Sequence, residues 1–177
     1  MTGMYRTLVA LGLAAALLAG CGGTAGVPHR TWVTSICQAL TPWRDRITAL
    51  NGQAAGQMKT ATTPAQTRAN LLSLLAGARQ ATEDARAKVA AAGVPDVSDG
   101  PTIAQRFVAA LAAARDAYAK AQQGVQGLPD KDPTTFYAGV KTTMDTLNQD
   151  YARAGVDTGR LASADLRKDF DEVPACA

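Results

Sequence analysis

The chain has 177 residues, 47% hydrophobic and 19% charged, a globular composition that excludes an intrinsically disordered protein. Its formal charge is only +3, and acidic and basic side chains alternate along it rather than cluster, so it carries no electrostatic footprint for nucleic acid. Aromatic residues make up just 5%, so a core must be built from Leu, Val, Ile and much Ala, which implies closely packed helices.

The N-terminus carries one positive side chain, Arg6, and then runs apolar from Leu8 to Leu18 before Ala19, Gly20 and Cys21. A basic start, a short apolar run and small residues at a cut describe an export signal. A spanning helix needs about 20 apolar residues, and this run stops short of that. Leu18-Ala19-Gly20-Cys21 resembles the lipobox of bacterial lipoproteins, in which small side chains fit the peptidase and the Cys thiol receives a diacylglyceryl group. The resemblance implies that residues 1–20 are a signal peptide, with Leu18, Ala19 and Gly20 flanking the cut. It also implies that Cys21 is the lipidated first residue of a mature protein held at the outer face of the cell membrane. Two or three acyl chains, at about 0.8 kcal/mol per buried methylene, make a stable anchor. Removal of the signal leaves 157 residues and a formal charge of +2, since only Arg6 is lost, a comfortable size for one domain at residues 31–177. Residues 22–30 read as a tether with an end-to-end distance on the order of 15 to 20 Å, which keeps that domain close to the bilayer.

From Thr31 a helical stripe appears in Val33, Ile36, Cys37, Leu40, Trp43, Ile47, Leu50 and Ala54. Pro42 predicts a kink there, or a restart with Thr41 as N-cap. Gly52 and Gly56 mark a frayed end or a close helix crossing before Thr62. Thr63-Pro64-Ala65-Gln66 is a strong start signal, an N-cap with Pro at the first position and a capping-box Gln. The second helix carries Leu71, Leu75, Ala78, Thr82, Ala85 and Val89, and ends where Gly93 can take a left-handed cap ahead of Pro95. A third opens near Pro101 with Ile103, Phe107, Ala110, Leu111, Ala114, Tyr118, Ala121 and Val125, and Gly127 and Pro129 close it. Asp132-Pro133 caps a fourth, whose stripe is Phe136, Val140, Met144, Leu147, Tyr151, Ala154, Thr158 and Leu161, with Gly155 and Gly159 weakening its last turns. Ser163 can cap a short fifth helix carrying Leu166 and Phe170 before Pro174. No segment alternates as a strand does. The pattern predicts an all-α protein: an up-down-up-down four-helix bundle with a short fifth helix laid against it. Asp84/Lys88, Asp116/Lys120, Arg79/Glu83 and Arg167/Asp171 stand at i, i+4 spacing and are expected to pair on solvated faces, at about 0.2 to 0.5 kcal/mol each.

Chemistry-bearing residues are sparse. Once Cys21 is acylated, Cys37 and Cys176 are the remaining thiols, and an even pair in an oxidising compartment predicts a disulfide. A free thiol pair or a metal site is the alternative, and no C-x-x-C motif or nearby histidine supports the metal. His29, the sole histidine, falls in the tether beside Arg30 and reads as a solvated linker residue, since a catalytic histidine needs an orienting scaffold. That leaves Ser35, Ser73, Ser98 and Ser163 without a base. The acids at Glu83/Asp84, Asp96/Asp99, Asp130/Asp132 and Asp169/Asp171/Glu172 could form an acid–base pair or a cation site, but caps and turns explain them more simply. Neither a phosphate-cradling Gly loop nor a dinucleotide fingerprint is present. Trp43 lies on the core stripe, whereas Trp32, next to the tether, is expected to be an exposed contact at the membrane surface.

Ile36-Cys37 and Trp43 on a first helix, Ala92-Gly93-Val94-Pro95-Asp96-Val97 with Asp99-Gly100 between helices, and a terminal Val173-Pro174-Ala175-Cys176 look like small helical lipoproteins and secreted proteins of actinobacteria. That resemblance implies the helical fold, the envelope location and a Cys37–Cys176 link, and carries over no activity and no functional site. The first functional expectation is therefore a non-catalytic binding or structural module near the membrane surface, engaging another envelope protein or a wall polymer. It needs no cofactor or metal beyond the lipid on Cys21. A carrier of an apolar ligand within the bundle is the alternative, to be preferred if an apolar pocket of a few hundred Å³ exists, and an envelope hydrolase ranks third.

Overall fold

The computed structural model describes residues 26–176, so the expected signal peptide, its expected flank Leu18, Ala19 and Gly20, and Cys21 lie outside the described residues. Within them the chain is helical: α1 (His29–Thr60), α2 (Pro64–Ala91), α3 (Gly100–Gln126), α4 (Pro133–Ala154), a one-turn α5 (Thr158–Leu161), α6 (Ala164–Glu172) and a final 3₁₀ turn at Pro174–Cys176. The one strand-like feature among the described residues is an isolated parallel bridge between Val27 and Pro95. There Val27 N–H donates to the Val94 carbonyl at 2.7 Å and Asp96 N–H to that of Val27 at 2.8 Å.

Local chemistry sets most boundaries. Thr63 accepts from Gln66 N–H to start α2, and the Gln66 amide oxygen reaches back one residue further than a standard capping box, to Thr62 N–H at 2.9 Å. Asp132 accepts from Thr135 N–H at 3.0 Å and Ser163 from Leu166 N–H at 3.4 Å. Gly93 takes the left-handed conformation after α2, with φ +78°, and Gly155 does so after α4, with φ +64°. That second cap ends α4 at Ala154, so Thr158 and Leu161 belong to α5 rather than to the α4 stripe.

Pro42 neither breaks nor restarts α1, which runs on to Thr60. The proline and Gln38, whose carbonyl loses its helical partner, are both exposed, so water can satisfy that oxygen. Thr41 does not cap; its hydroxyl donates to the Ala175 carbonyl at 3.4 Å. Gly52 and Gly56 lie inside the helix facing open space, so they are neither a frayed end nor a crossing. The close crossings fall at Gly77 and Gly124. A Cβ at Gly77 would stand 2.9 Å from a Leu50 methyl, and one at Gly124 would stand 2.8 Å from the Thr143 methyl.

Cross-helix contacts join each long helix to the next in the chain. Trp43 Nε1–H donates to Thr82 Oγ1 at 3.0 Å between α1 and α2, Arg115 pairs with Glu83 between α3 and α2, and Lys120 with Asp150 between α3 and α4. The helices thus pack in sequence, α1 on α2, α2 on α3 and α3 on α4, while the backbone of α4 approaches that of α2 at few places and that of α1 at none. The N-terminal half of α1 is covered instead by α6 and the 3₁₀ turn. The apolar interior divides accordingly. One cluster gathers Trp32, Ile36, Leu40, Phe107 and Leu166, and the other Leu71, Leu75, Ala121, Val125 and Leu147.

Trp32 is not at the surface. It is fully buried, packs edge-on against Phe107 with ring centroids 5.3 Å apart, and donates its indole N–H to the Gly93 carbonyl at 3.0 Å. The loop after α2 folds over it and supplies the acceptor that a buried indole needs. Cys37 and Cys176 form a disulfide, with Cα atoms 4.9 Å apart. It closes 139 residues of chain, for which the chain-entropy treatment gives about 5 kcal/mol and practice about 2 to 4. Replacing both cysteines by Ala should therefore lower the urea midpoint by the equivalent of about 2 to 4 kcal/mol; an unchanged midpoint would show that the bond contributes nothing to stability.

Candidate functional site

Two concave features stand out. The first lies where the chain enters the fold. His29 is the first residue of α1, not part of a solvated tether, and its Nδ1 donates to Asp169 Oδ2 on α6. Asp169 is the one buried charged side chain among the described residues, with 8% of it exposed against 50% for His29. Arg30 adds a longer approach to Asp169 at 3.9 Å and pairs with Glu172 at 3.4 Å. The arrangement follows from the start of α1, whose N-cap is Pro28 with no side-chain cap and no acid in its first turn. The positive end of the helix is then met from outside by carboxylates of α6. His29, Arg30, Asp96, Ser98, Lys168 and Asp169 border a groove of about 500 Å³ here. An aspartate on Nδ1 orients an imidazole as a base requires. No local sequence pattern reveals the pair, because its members stand 140 residues apart. Among the described residues, no group of three or more His, Cys, Asp or Glu is placed to hold a metal ion, and no helix is long and apolar enough to cross a membrane.

The second feature follows from the missing contact between α1 and α4. An open cleft of about 250 Å³ runs between the four long helices at the boundary of the two apolar clusters. Its walls are Ile47 of α1, Leu74 and Leu75 of α2, and Met144 and Leu147 of α4. Its polar groups are the carboxamides of Asn51 and Asn148 and the phenols of Tyr118 and Tyr151, whose rings lie 5.8 Å apart. Burial, helped by neighbouring Tyr151, pushes the Tyr118 phenol well above its ordinary pKa. Burial raises Tyr151 too, against the opposing charge of Arg44, and no hydrogen bond contributes to either shift. Both phenols are neutral donors at physiological pH. No Lys, Arg, Asp or Glu lines the cleft.

The charged surface is arranged differently from the i, i+4 expectation. Glu83 accepts from Arg86 Nε at 2.9 Å and from Arg115 across the α2–α3 seam at 2.8 Å, rather than from Arg79. Asp84 accepts from Gln80, Asp116 from Arg115, Lys120 reaches Asp150 at 2.7 Å, and Arg167 donates to the Ala162 carbonyl. Long basic chains reach across a helix seam as readily as along a turn, so spacing within one helix does not choose the partner. Arg68 does the same at the far end, reaching Asp130 at 2.7 Å and standing 5.4 Å above the Phe136 ring.

No family model, no curated protein and no solved structure matches this chain.

Glu83 gives the clearest pH dependence. Hydrogen bonds from Arg86, then from Arg115, lower its pKa from 4.5 to about 2. A carboxylate depressed in the folded state stabilises the fold above its unfolded pKa, and that contribution is lost as pH falls through the folded value. Stability should therefore fall between about pH 4.5 and 2 in the native protein, and fall less over that window in Glu83→Gln. Thermal midpoints across the range check this, and parallel curves for the two proteins would refute it.

Proposed function

We propose that this chain is an exported, lipid-anchored envelope protein that works by binding, with the cleft between α1 and α4 as its ligand site. The observation that carries the proposal is that cleft. An apolar pocket of a few hundred Å³ is the feature that favours a carrier, and the cleft lies at the small end of that range, with polar groups beside its apolar walls. The carrier reading therefore ranks above binding at the domain's outer surface. On this reading the helices form an up-down-up-down bundle left open along one seam, with α6 and the C-terminal turn in place of α4 beside the first half of α1. The protein acts without catalysing a reaction of its own and needs no metal or cofactor besides the lipid.

Export and anchoring rest on the N-terminal signal and on Leu18-Ala19-Gly20-Cys21. The Cys37–Cys176 disulfide supports the same address, because such bonds persist in oxidising compartments. Val27 is pinned to the loop at residues 94–96, six residues beyond Cys21, so the connecting chain spans at most about 20 Å. The groove around His29 and Asp169 then faces the bilayer. Ile47 lies 18 residues along α1 from His29, which puts the cleft about 27 Å farther out. The groove favours a second reading, in which a membrane protein or wall polymer docks at the anchored end.

Cys21→Ala should abolish incorporation of radiolabelled lipid and release of the signal, and unchanged labelling would contradict the anchor. A flexible insert belongs between Gly23 and Thr24, since one placed after Gly26 would break the Val27 bridge. If a docking partner at the bilayer matters, that insert should lower its effective concentration and its crosslinking yield. If only the cleft matters, the insert should leave function intact.

A further inference from the structure

We infer that the cleft between α1 and α4 selects an uncharged, compact amphipathic molecule, with an aliphatic or aromatic body and a single hydroxyl or carbonyl group. The inference rests on the reading of the cleft as a ligand site and specifies its chemistry.

The size comes first. Pockets for drug-sized ligands run from about 300 to 1,000 Å³, and this cleft holds about 250 Å³. A long lipid or a peptide does not fit, whereas a small ring system or a short chain does. The apolar walls come from three different helices, with Ile47 packed on one half of the divided core and Leu75 and Leu147 belonging to the other, so a ligand body there touches both halves. A molecule wedged at that boundary completes packing that α4 leaves unfinished, since only Phe136 and Leu147 of α4 are fully buried.

The polar groups decide the rest. Tyr118 and Tyr151 are half-buried and line the cleft with their rings 5.8 Å apart. The two phenols are donors that a bound acceptor can engage in place of water, while the Asn51 and Asn148 carboxamides at the exposed mouth can both donate and accept. A carboxylate or ammonium ligand would lose its hydration with no opposite charge lining the cleft to replace it. The nearest cation acting on these groups is Arg44, beside Tyr151 and itself exposed. Whether it can recruit an anion is one arm of the test.

Three probes that share one ring system separate the requirements: naphthalene, 1-naphthol and 1-naphthoate. Each is titrated into the full chain carrying Cys21→Ser and followed by amide chemical shifts. The expected result is saturable shifts around Ile47, Tyr118 and Tyr151, with 1-naphthol bound about fivefold more tightly than naphthalene, the worth of one neutral hydrogen bond. The naphthoate should bind roughly tenfold more weakly than 1-naphthol, because its charge is desolvated without a partner. In a Tyr118→Phe/Tyr151→Phe variant the advantage of 1-naphthol should vanish while naphthalene binding persists. Should that double variant fail to fold, Tyr151→Phe alone carries the same prediction with a smaller loss. Asn148→Trp, at an exposed position on the mouth, should block all three probes. Naphthoate binding as tightly as 1-naphthol, or an advantage of 1-naphthol that survives Tyr→Phe, would overturn the chemical class and leave the site standing. No saturable shift at the cleft with any probe would overturn the site itself.

Discussion

The Cys37–Cys176 bond fastens the last turn of the chain against α1, and most of the tertiary arrangement depends on what it brings there. With the tail held at that point, α6 lies along the first half of α1, where Leu166 and Val173 close over Trp32, Val33 and Ile36. A second link reinforces it, since the His29–Asp169 contact ties the first residue of α1 to the same short helix. A nine-residue helix cannot bury much apolar surface by itself. Its position beside α1 is stabilised by a covalent link closing a 139-residue loop and by a buried carboxylate compensated at a helix N-terminus.

That occupancy has a consequence for α4. Four amphipathic helices of equal standing close on one another, but here the space beside the first half of α1 is filled, and α4 rests on α3 with only a slight contact on α2. Its stripe is therefore partly covered: Phe136 and Leu147 are buried, while Val140, Met144 and Tyr151 remain half-exposed. The core splits in two as a result, and the cleft lies at the split. Small side chains set the spacing around it, because Gly77 admits Leu50 and Gly124 admits Thr143 at distances a Cβ would not allow. These contacts bring α1 close to α2 and α3 close to α4, whereas the backbones of α1 and α4 stay apart.

What could be read in the sequence divides along the same line between local and distant causes. Thr63-Pro64, Asp132-Pro133, Ser163 and Gly93 announce their roles within a few residues, since caps and left-handed turns are satisfied by neighbours in the chain. The cysteine pairing was legible because so few thiols were left to choose from. Trp32 and His29 were misplaced for a single reason: each is explained by a partner from a remote segment, the Gly93 carbonyl and the Asp169 carboxylate, which no periodicity reveals. The cleft was illegible in a different way. The stripe on α4 shows that a face is apolar, but not whether another helix covers it, and that depends on where α6 has been fastened. Ion pairs likewise followed the geometry of seams, with Glu83 held by Arg115 of the next helix.

The claim on which the functional account depends is that the apolar interior is open between α1 and α4 and closed beneath α6. Methyl-detected spectra of the folded protein under xenon pressure test it most directly, because xenon enters apolar voids without needing a hydrogen bond. The account predicts saturable shifts at the methyls of Ile47, Leu75, Met144 and Leu147, and none at Val33, Ile36 and Leu40 beneath α6. Equal shifts in both groups, or no shift at the first, would mean that α4 closes against α1 in solution and that no site lies between them.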